Sequence, residues 1–299
     1  LGYTVALGLP ALRERIARRY RDRHGLDVAP ERIAITTGAS GGFALAFLAL
    51  FDAGARVAVA DPGYPAYRNI LRALDLAPVR LEATRATRFQ PDPHLLADAG
   101  RLGTIDGLLV AGPANPTGAS LSRDALIDLV EECQRIGAAL ISDEIYHGID
   151  YGAPAPSALE VSADVIVVNS FSKYFAMPGW RVGWMVAPEP LTPTIEKLAQ
   201  NLFICPPHAS QVAALAALDA EDALDANVAA YARNRDLLLD ALPRLGLEPL
   251  AEPDGAFYLY ADISAVSGDS RAFCARMLEE AGVAATSGLD FDPVRGGRT

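Results

Sequence analysis

Five short apolar runs, at residues 33–37, 56–60, 107–111, 138–142 and 164–169, each break into a turn rich in glycine, proline or small polar residues, with helical patterns between them. Runs this short and this continuously apolar read as strands buried on both faces, which only a parallel sheet covered by helices on either side provides. The sequence therefore predicts an α/β chain with a three-layer, doubly wound, mostly parallel sheet, and places ligands at the carboxyl ends of its strands. Residues 78–82 and 182–187 add strands. Residues 84–101 are polar and broken by proline, which suggests a mobile surface loop with a short helix.

The covering helices show in the spacing. Leu12, Ile16 and Tyr20 recur at helical intervals within 11–23, and Leu126, Leu129, Val130 and Cys133 form one stripe within 121–136, with Ser122 as N-cap and Gly137 as stop. Further helices are predicted over 43–51, 191–202 and 223–242. After the helix at 223–242 the pattern changes: strands at 248–253, 257–263 and 283–286 around a helix at 271–281 give a smaller α/β domain. This divides the chain into a large domain, 1–222, and a small one, 223–299.

A formal net charge of −11 leaves no basic field for nucleic acid and argues against an anionic membrane surface. The longest apolar run, residues 43–51, is too short to span a bilayer, and no signal-peptide pattern opens the chain. Cys133, Cys205 and Cys274 are odd in number and far apart, as expected of packing residues in a reducing cytoplasm. The four histidines are scattered, without the paired spacing of a metal site.

Of 26 basic residues only Lys173 and Lys197 are lysine. An amine can lose its proton and attack a carbonyl to form a Schiff base, whereas a guanidinium cannot, so Lys173 stands where this sequence otherwise writes arginine. Around it, Ser170, Ser172 and Arg181 supply hydroxyls and a forked cation suited to a phosphate dianion. A phosphorylated aldehyde is the partner implied. The glycine-rich segment 38–42 can offer free N–H groups to an anion at a helix start. Pro62 and Pro65 stiffen the turn that presents Tyr64, and Pro116 holds Asn115 extended. Asp143 ends an apolar strand, where a carboxylate is costly unless a cation meets it; a pyridinium nitrogen is such a partner. Glu144 reads as structural and Lys197 as a solvated surface residue.

The segment from Ser170 to Arg181, with Gly179-Trp180-Arg181-Val182-Gly183, resembles the lysine signature of the pyridoxal-phosphate-dependent class I/II aminotransferases, of fold type I in the aspartate aminotransferase superfamily. Segments at Gly38, Tyr64, Asn115 and Asp143 fall in that family's order. The resemblance implies pyridoxal 5'-phosphate as cofactor, held on Lys173. It implies that Ala39, Ser40, Ser170, Ser172 and Arg181 bind the cofactor phosphate and that Tyr64 stacks on its ring. Asn115 and Tyr146 reach its phenolic oxygen, Asp143 its ring nitrogen, and Tyr3 the phosphate of a neighbouring subunit in a homodimer.

The activity implied is transfer of an amino group from an L-amino acid to a 2-oxo acid. Two alternatives share the site: a carbon–sulfur β-lyase, and a non-catalytic aminotransferase-like regulator domain. The family's substrate-carboxylate arginine follows a strand and a Gly-x-x-Phe turn. Here Gly288 to Phe291 is followed by Asp292 in place of the usual glycine, and then by Arg295 and Arg298 in a glycine-rich turn expected to be mobile. Both arginines come too early by spacing. The chain also opens on leucine and stops at Thr299, so both ends look clipped, with the arginine expected a few residues beyond and poor turnover expected without it.

Overall fold

The computed structural model describes residues 2–299. Seven strands form one sheet: β1 Ile33–Thr36, β2 Arg56–Asp61, β3 Ala77–Glu82, β4 Gly107–Ala111, β5 Ala139–Asp143, β6 Ile166–Ser170 and β7 Gly183–Val186, in the order β1-β7-β6-β5-β4-β2-β3. β3, β2, β4, β5 and β6 run parallel, while β7 is antiparallel to both β1 and β6. The fold is the mostly parallel α/β architecture expected. Register levels the strand ends: Asp143 sits opposite Ala111 on one side and Val168 on the other. The loops leaving β1, β2, β4, β5 and β6, and the loop entering the reversed β7, therefore collect at one edge.

Side chains alternate between the two faces, and each face has its own core. Val57, Val59, Leu109, Ile141, Ile166 and Val168 pack with α2 (Gly38–Leu50), α3 (Pro65–Ala73) and α6 (Thr192–Phe203). Ala58, Leu108, Val110, Leu140 and Val167 pack with α1 (Pro10–His24), α4 (Pro93–Gly100), α5 (Arg123–Ile136) and α7 (His208–Ala217). Phe43 and Phe47 of α2 are among the largest side chains wholly withdrawn from water, each stabilising the fold by about 1.5–3 kcal/mol. Local signals agree with this packing. Ser122 Oγ accepts the Ala125 N–H at 3.1 Å, and Gly137 caps α5 in the left-handed region at φ 75°. Among the described residues no helix is long and apolar enough to cross a membrane.

The C-terminal part departs most from expectation. The long helix α8 (Glu221–Arg244) and α9 (Ser270–Ala281) form, but the strands shrink to two-residue pieces, β8 (Glu248–Pro249) and β9 (Ala261–Asp262). The backbone of 254–256 is spent on other loops: Asp254 and Gly255 N–H donate to Gly118 O, and Ala256 N–H to Ile149 O. No strand forms at 283–286. Gly282 closes α9 in the left-handed region, Val283 N–H completes that cap on Met277 O, and the residues beyond are exposed, so no burial favours an extended ladder.

The 84–101 segment contains the short helix expected, α4, and its remainder is more ordered than a loop. Thr84 and Thr87 form a reciprocal capping box, and Asp92 caps α4 through the Leu95 N–H. The turn carrying Arg295 is likewise held rather than free. Arg295 Nε lies 2.6 Å from the buried Asp292 carboxylate, and its guanidinium reaches Asp61 O at 2.5 Å. Asp61 is itself buried and pairs with Arg68 and Arg80, and Arg68 also donates to Asp290 O and Phe291 O. Asp292 is the anion that organises this turn.

Candidate active site

A cavity of about 180 Å³ opens at the carboxyl edge of the sheet. Its floor is set by how closely α2 approaches β6 and β7. A Cβ at Gly42 would lie 3.0 Å from Val168 Cγ1, and one at Gly183 would lie 2.7 Å from Asn169 O and 3.0 Å from the Gly38 carbonyl carbon. Glycine is needed for that contact. The expected glycine turn before a helix at 43 is therefore the first turns of the helix itself, which begins at Gly38. The N–H groups of Gly38, Ala39 and Ser40 have no partner within the helix and carry the positive end of its dipole. Ala39 and Ser40 both line the cavity.

Arg181 closes this end. It precedes β7 with φ 51°, donates to Pro178 O at 3.0 Å, and lays its guanidinium where a side chain on Gly38 would stand. Gly38 has φ +73°, so a substitution would be strained and would also displace the cation. Gly38→Ala is expected to weaken phosphate binding at least about tenfold, the equivalent of one charge-assisted hydrogen bond. The fold should survive with its melting temperature lower by roughly 2–4 °C. Isothermal titration with inorganic phosphate and a thermal melt measure both. Ser172 lines the cavity, but Ser170 does not: its hydroxyl donates to Val182 O at 3.1 Å and accepts the Ser172 N–H at 3.1 Å, bracing the loop.

Lys173 enters from the same loop. Its Nζ lies 5.6 Å from the centre of the Tyr146 ring and 5.5 Å from that of Phe257. Burial lowers its pKa, Asp143 opposes this, and Arg181 adds to it. The amine is thus shifted toward the neutral, nucleophilic form.

Asp143, at the end of β5, is 3% exposed. Burial pushes its carboxyl up to about 6, against the Tyr67 hydroxyl, the Ile145 N–H and Lys173, which favour the anion. Tyr67 donates to Oδ2 at 2.5 Å and Ile145 N–H to Oδ1 at 3.1 Å. Tyr64 caps α3 and Tyr67 sits on its first turn, their rings edge to face at 5.4 Å, with Phe43 edge-on to Tyr67 at 5.3 Å. Asn115 lines the cavity with its Oδ1 buried and unpartnered. Tyr146 meets Tyr258, hydroxyl to hydroxyl, at 2.6 Å.

The structure thus brings together Ala39, Ser40, Tyr64, Asn115, Asp143, Tyr146, Ser172, Lys173 and Arg181 around one cavity, with Ser170 directly behind. Tyr3 lies elsewhere and is 82% exposed. Arg295 and Arg298 do not line the cavity. Glu144 is structural: Ser157 Oγ and the Ala158 N–H reach its carboxylate at 3.0 and 2.8 Å, and burial raises its pKa to about 8. Five lining residues were not singled out by sequence reasoning: Phe43, Tyr67, Ile145, Pro178 and Tyr258. The spacing held a signal for Tyr67, three residues past Tyr64 on the same helix face.

Anion-binding groups, a half-buried amine and a buried carboxylate therefore share one cavity. The family description "Aminotransferase class I and II" matches residues 1–295. The chain is 51% identical to the valine–pyruvate aminotransferase of Mycobacterium tuberculosis, over 99% of this chain and 77% of that protein. It is 34% identical to the arginine–pyruvate transaminase of Pseudomonas aeruginosa, over 99% and 76%. The solved structure of an aminotransferase from Mycobacterium tuberculosis superposes with a TM-score of 0.96 at 50% identity, covering 100% of this chain and 78% of that one. Aspartate aminotransferase from Thermotoga maritima superposes with 0.90 at 31%, covering 99% and 77%. The chain belongs to the class I and II aminotransferases, pyridoxal-phosphate-dependent transaminases of fold type I.

Proposed function

We propose that this chain moves the amino group of an L-amino acid with an uncharged, aliphatic side chain onto pyruvate or a similar 2-oxo acid, using pyridoxal phosphate held on Lys173 as a Schiff base. The observation that carries the reading is the composition of the cavity. Its three charged lining residues, Lys173, Asp143 and Arg181, are those the cofactor requires, and the rest of the lining is uncharged, with five aromatic rings among it: Phe43, Tyr64, Tyr67, Tyr146 and Tyr258. The residues fit the cofactor. Asn115 Oδ1 is buried without a partner, and the Asp143 carboxylate, though it accepts from Tyr67 and the Ile145 N–H, carries a charge that burial disfavours until a cation meets it.

In this reading the phosphate is held by the α2 N-terminus at Ala39 and Ser40, with Ser172 and Arg181, while Ser170 braces Ser172. Tyr64 covers the ring, Asn115 and Tyr146 hold the phenolic oxygen, and Asp143 holds the ring nitrogen. When bound, the cofactor supplies an electron sink for charge on the substrate α-carbon. The chain's own part is to move the proton: Lys173, its pKa lowered by burial, would take it at Nζ from the substrate α-carbon and hand it on to the cofactor's carbon rather than back. The aromatic lining excludes water from that transfer. The enzyme is a cytoplasmic homodimer in which Tyr3, exposed and away from its own cavity, serves the neighbouring subunit. Residues 1–222 form the cofactor-binding domain and 223–299 the smaller one.

Mixing the holoenzyme with a panel of amino acids while following the cofactor spectrum tests the reading. Valine and similar residues are expected to convert the cofactor to its amine form without ammonia, and pyruvate to reverse it, with aspartate at least about tenfold poorer for want of a side-chain partner. Ammonia and pyruvate released from a cysteine thioether would instead make the chain a lyase. No spectral change with any amine would leave a non-catalytic role.

A further inference from the structure

The segment from Pro253 to Tyr258 is fixed against the site more tightly than a connecting loop requires. A Cβ at Gly118 would overlap Pro253, and one at Gly255 would overlap Ile149 O. Asp254 and Gly255 N–H both donate to Gly118 O, Tyr151 N–H donates to Asp254 O at 2.6 Å, and Ala256 N–H donates to Ile149 O at 2.9 Å. Ala256 is wholly buried at φ 60°, a conformation that costs a residue with a side chain about 1–3 kcal/mol and persists only where its surroundings dictate it. Gly118 follows β4 and Ile149 follows β5, so the two loops that carry Asn115 and Tyr146 together hold this strained turn.

The turn delivers one polar group to the cavity. Tyr258 places its hydroxyl 2.6 Å from that of Tyr146, with the two rings edge to face at 5.6 Å. Each phenol has one proton. If Tyr146 donates into the cavity, its oxygen must accept from Tyr258, and a hydroxyl that accepts a hydrogen bond donates a stronger one. We propose, resting on the functional reading above, that Tyr258 is a positioning residue for the transamination: it donates to Tyr146 Oη and so directs the Tyr146 proton at the cofactor's phenolic oxygen.

The effect has a sign. A proton donated to the phenolic oxygen draws charge from it and weakens its hold on the proton of the adjacent Lys173 nitrogen. Losing the Tyr258 hydroxyl should therefore raise the pH midpoint of the cofactor's visible band.

The test is a pH titration of that band in wild type, Tyr258→Phe, Tyr146→Phe and the double variant, with thermal melts of the cofactor-free proteins. Tyr258→Phe is expected to keep the band, to shift its midpoint upward by a fraction of a pH unit and to lower kcat several-fold with little change in KM. Tyr146→Phe should shift the midpoint further. In the Tyr146→Phe background the second substitution should add nothing, since Tyr258 acts through that hydroxyl. A Tyr258→Phe titration that superposes on wild type would overturn the proposal. So would an equal further shift in the double variant, or a kcat loss that only follows a lower melting temperature. These outcomes leave the functional reading standing, whereas absence of the band from wild-type protein would remove both.

Discussion

Lys173→Ala protein is expected to show no visible band when mixed with pyridoxal phosphate, and to lose transamination by roughly 10⁴-fold or more, because one side chain supplies both the nucleophile and the proton carrier. Lys173→Arg should be as inactive. A guanidinium keeps its proton at any working pH and cannot link to an aldehyde, so restoring positive charge restores nothing. The control is built into the sequence. Lys197, the other lysine, is exposed on α6, where its carbonyl accepts from Asn201. Lys197→Ala should leave both the band and the rate unchanged. If Lys197→Ala abolished the band while Lys173→Ala kept it, the assignment of the site would be wrong. Binding of inorganic phosphate, read by titration calorimetry, should survive in Lys173→Ala because Arg181, Ser172 and the α2 N-terminus are intact. That separates a missing amine from a collapsed cavity.

The sheet was legible because its chemistry is local. A run such as 107–111 is apolar on both faces, and its neighbours in the structure, Ala58 and Leu140 on one face and Val59 and Ile141 on the other, are apolar too. The carboxyl-end rule then located most of the site, since Asp143 ends its strand and Tyr64, Asn115 and Lys173 each follow theirs within a few residues. The features that stayed hidden depend on contacts between distant segments. Glycine propensity argues against starting a helix at 38, but Gly42 must clear Val168 and Gly183 must clear Gly38, and these packing demands outweigh propensity. Tyr258 meets Tyr146 across 112 residues of chain, through a turn whose backbone hydrogen bonds go to loops that no periodicity reveals. The strands expected at 248–253 and 257–263 are cut short to β8 and β9 for the same reason, because the N–H groups of the intervening residues are already committed. The glycine-rich turn after Asp292 reads as mobile in the sequence, yet the Asp292 carboxylate pairs with Arg295 and Arg80 and ties that turn to Asp61 at the end of β2.

Asp143→Asn is the substitution in which function and stability should part company. The carboxyl group is buried, and in the cofactor-free chain its pKa stands at about 6, well above its usual 3.8, because burial outweighs the Tyr67 hydroxyl, the Ile145 N–H and Lys173. A carboxyl raised in the folded state favours folding while it is protonated. Its contribution is complete below about pH 3.8 and is lost as the pH rises through about 6. Above that, the folded chain carries a buried charge at a cost on the order of 3 kcal/mol. Asparagine can keep its oxygen on the Ile145 N–H and donate its amide N–H to the Tyr67 oxygen, and it never ionises. Cofactor-free Asp143→Asn is therefore expected to melt several degrees above wild type at pH 7–8, with the difference closing toward pH 4. The same variant should lose activity roughly 10²–10³-fold, because an amide cannot hold a proton on the cofactor's ring nitrogen by charge. Wild-type and variant melting curves measured from pH 4 to 8, beside steady-state rates, check both halves. A constant offset across that range would mean that Asp143 does not titrate in the folded chain. An active Asp143→Asn enzyme would mean that the carboxylate serves only to hold Tyr67.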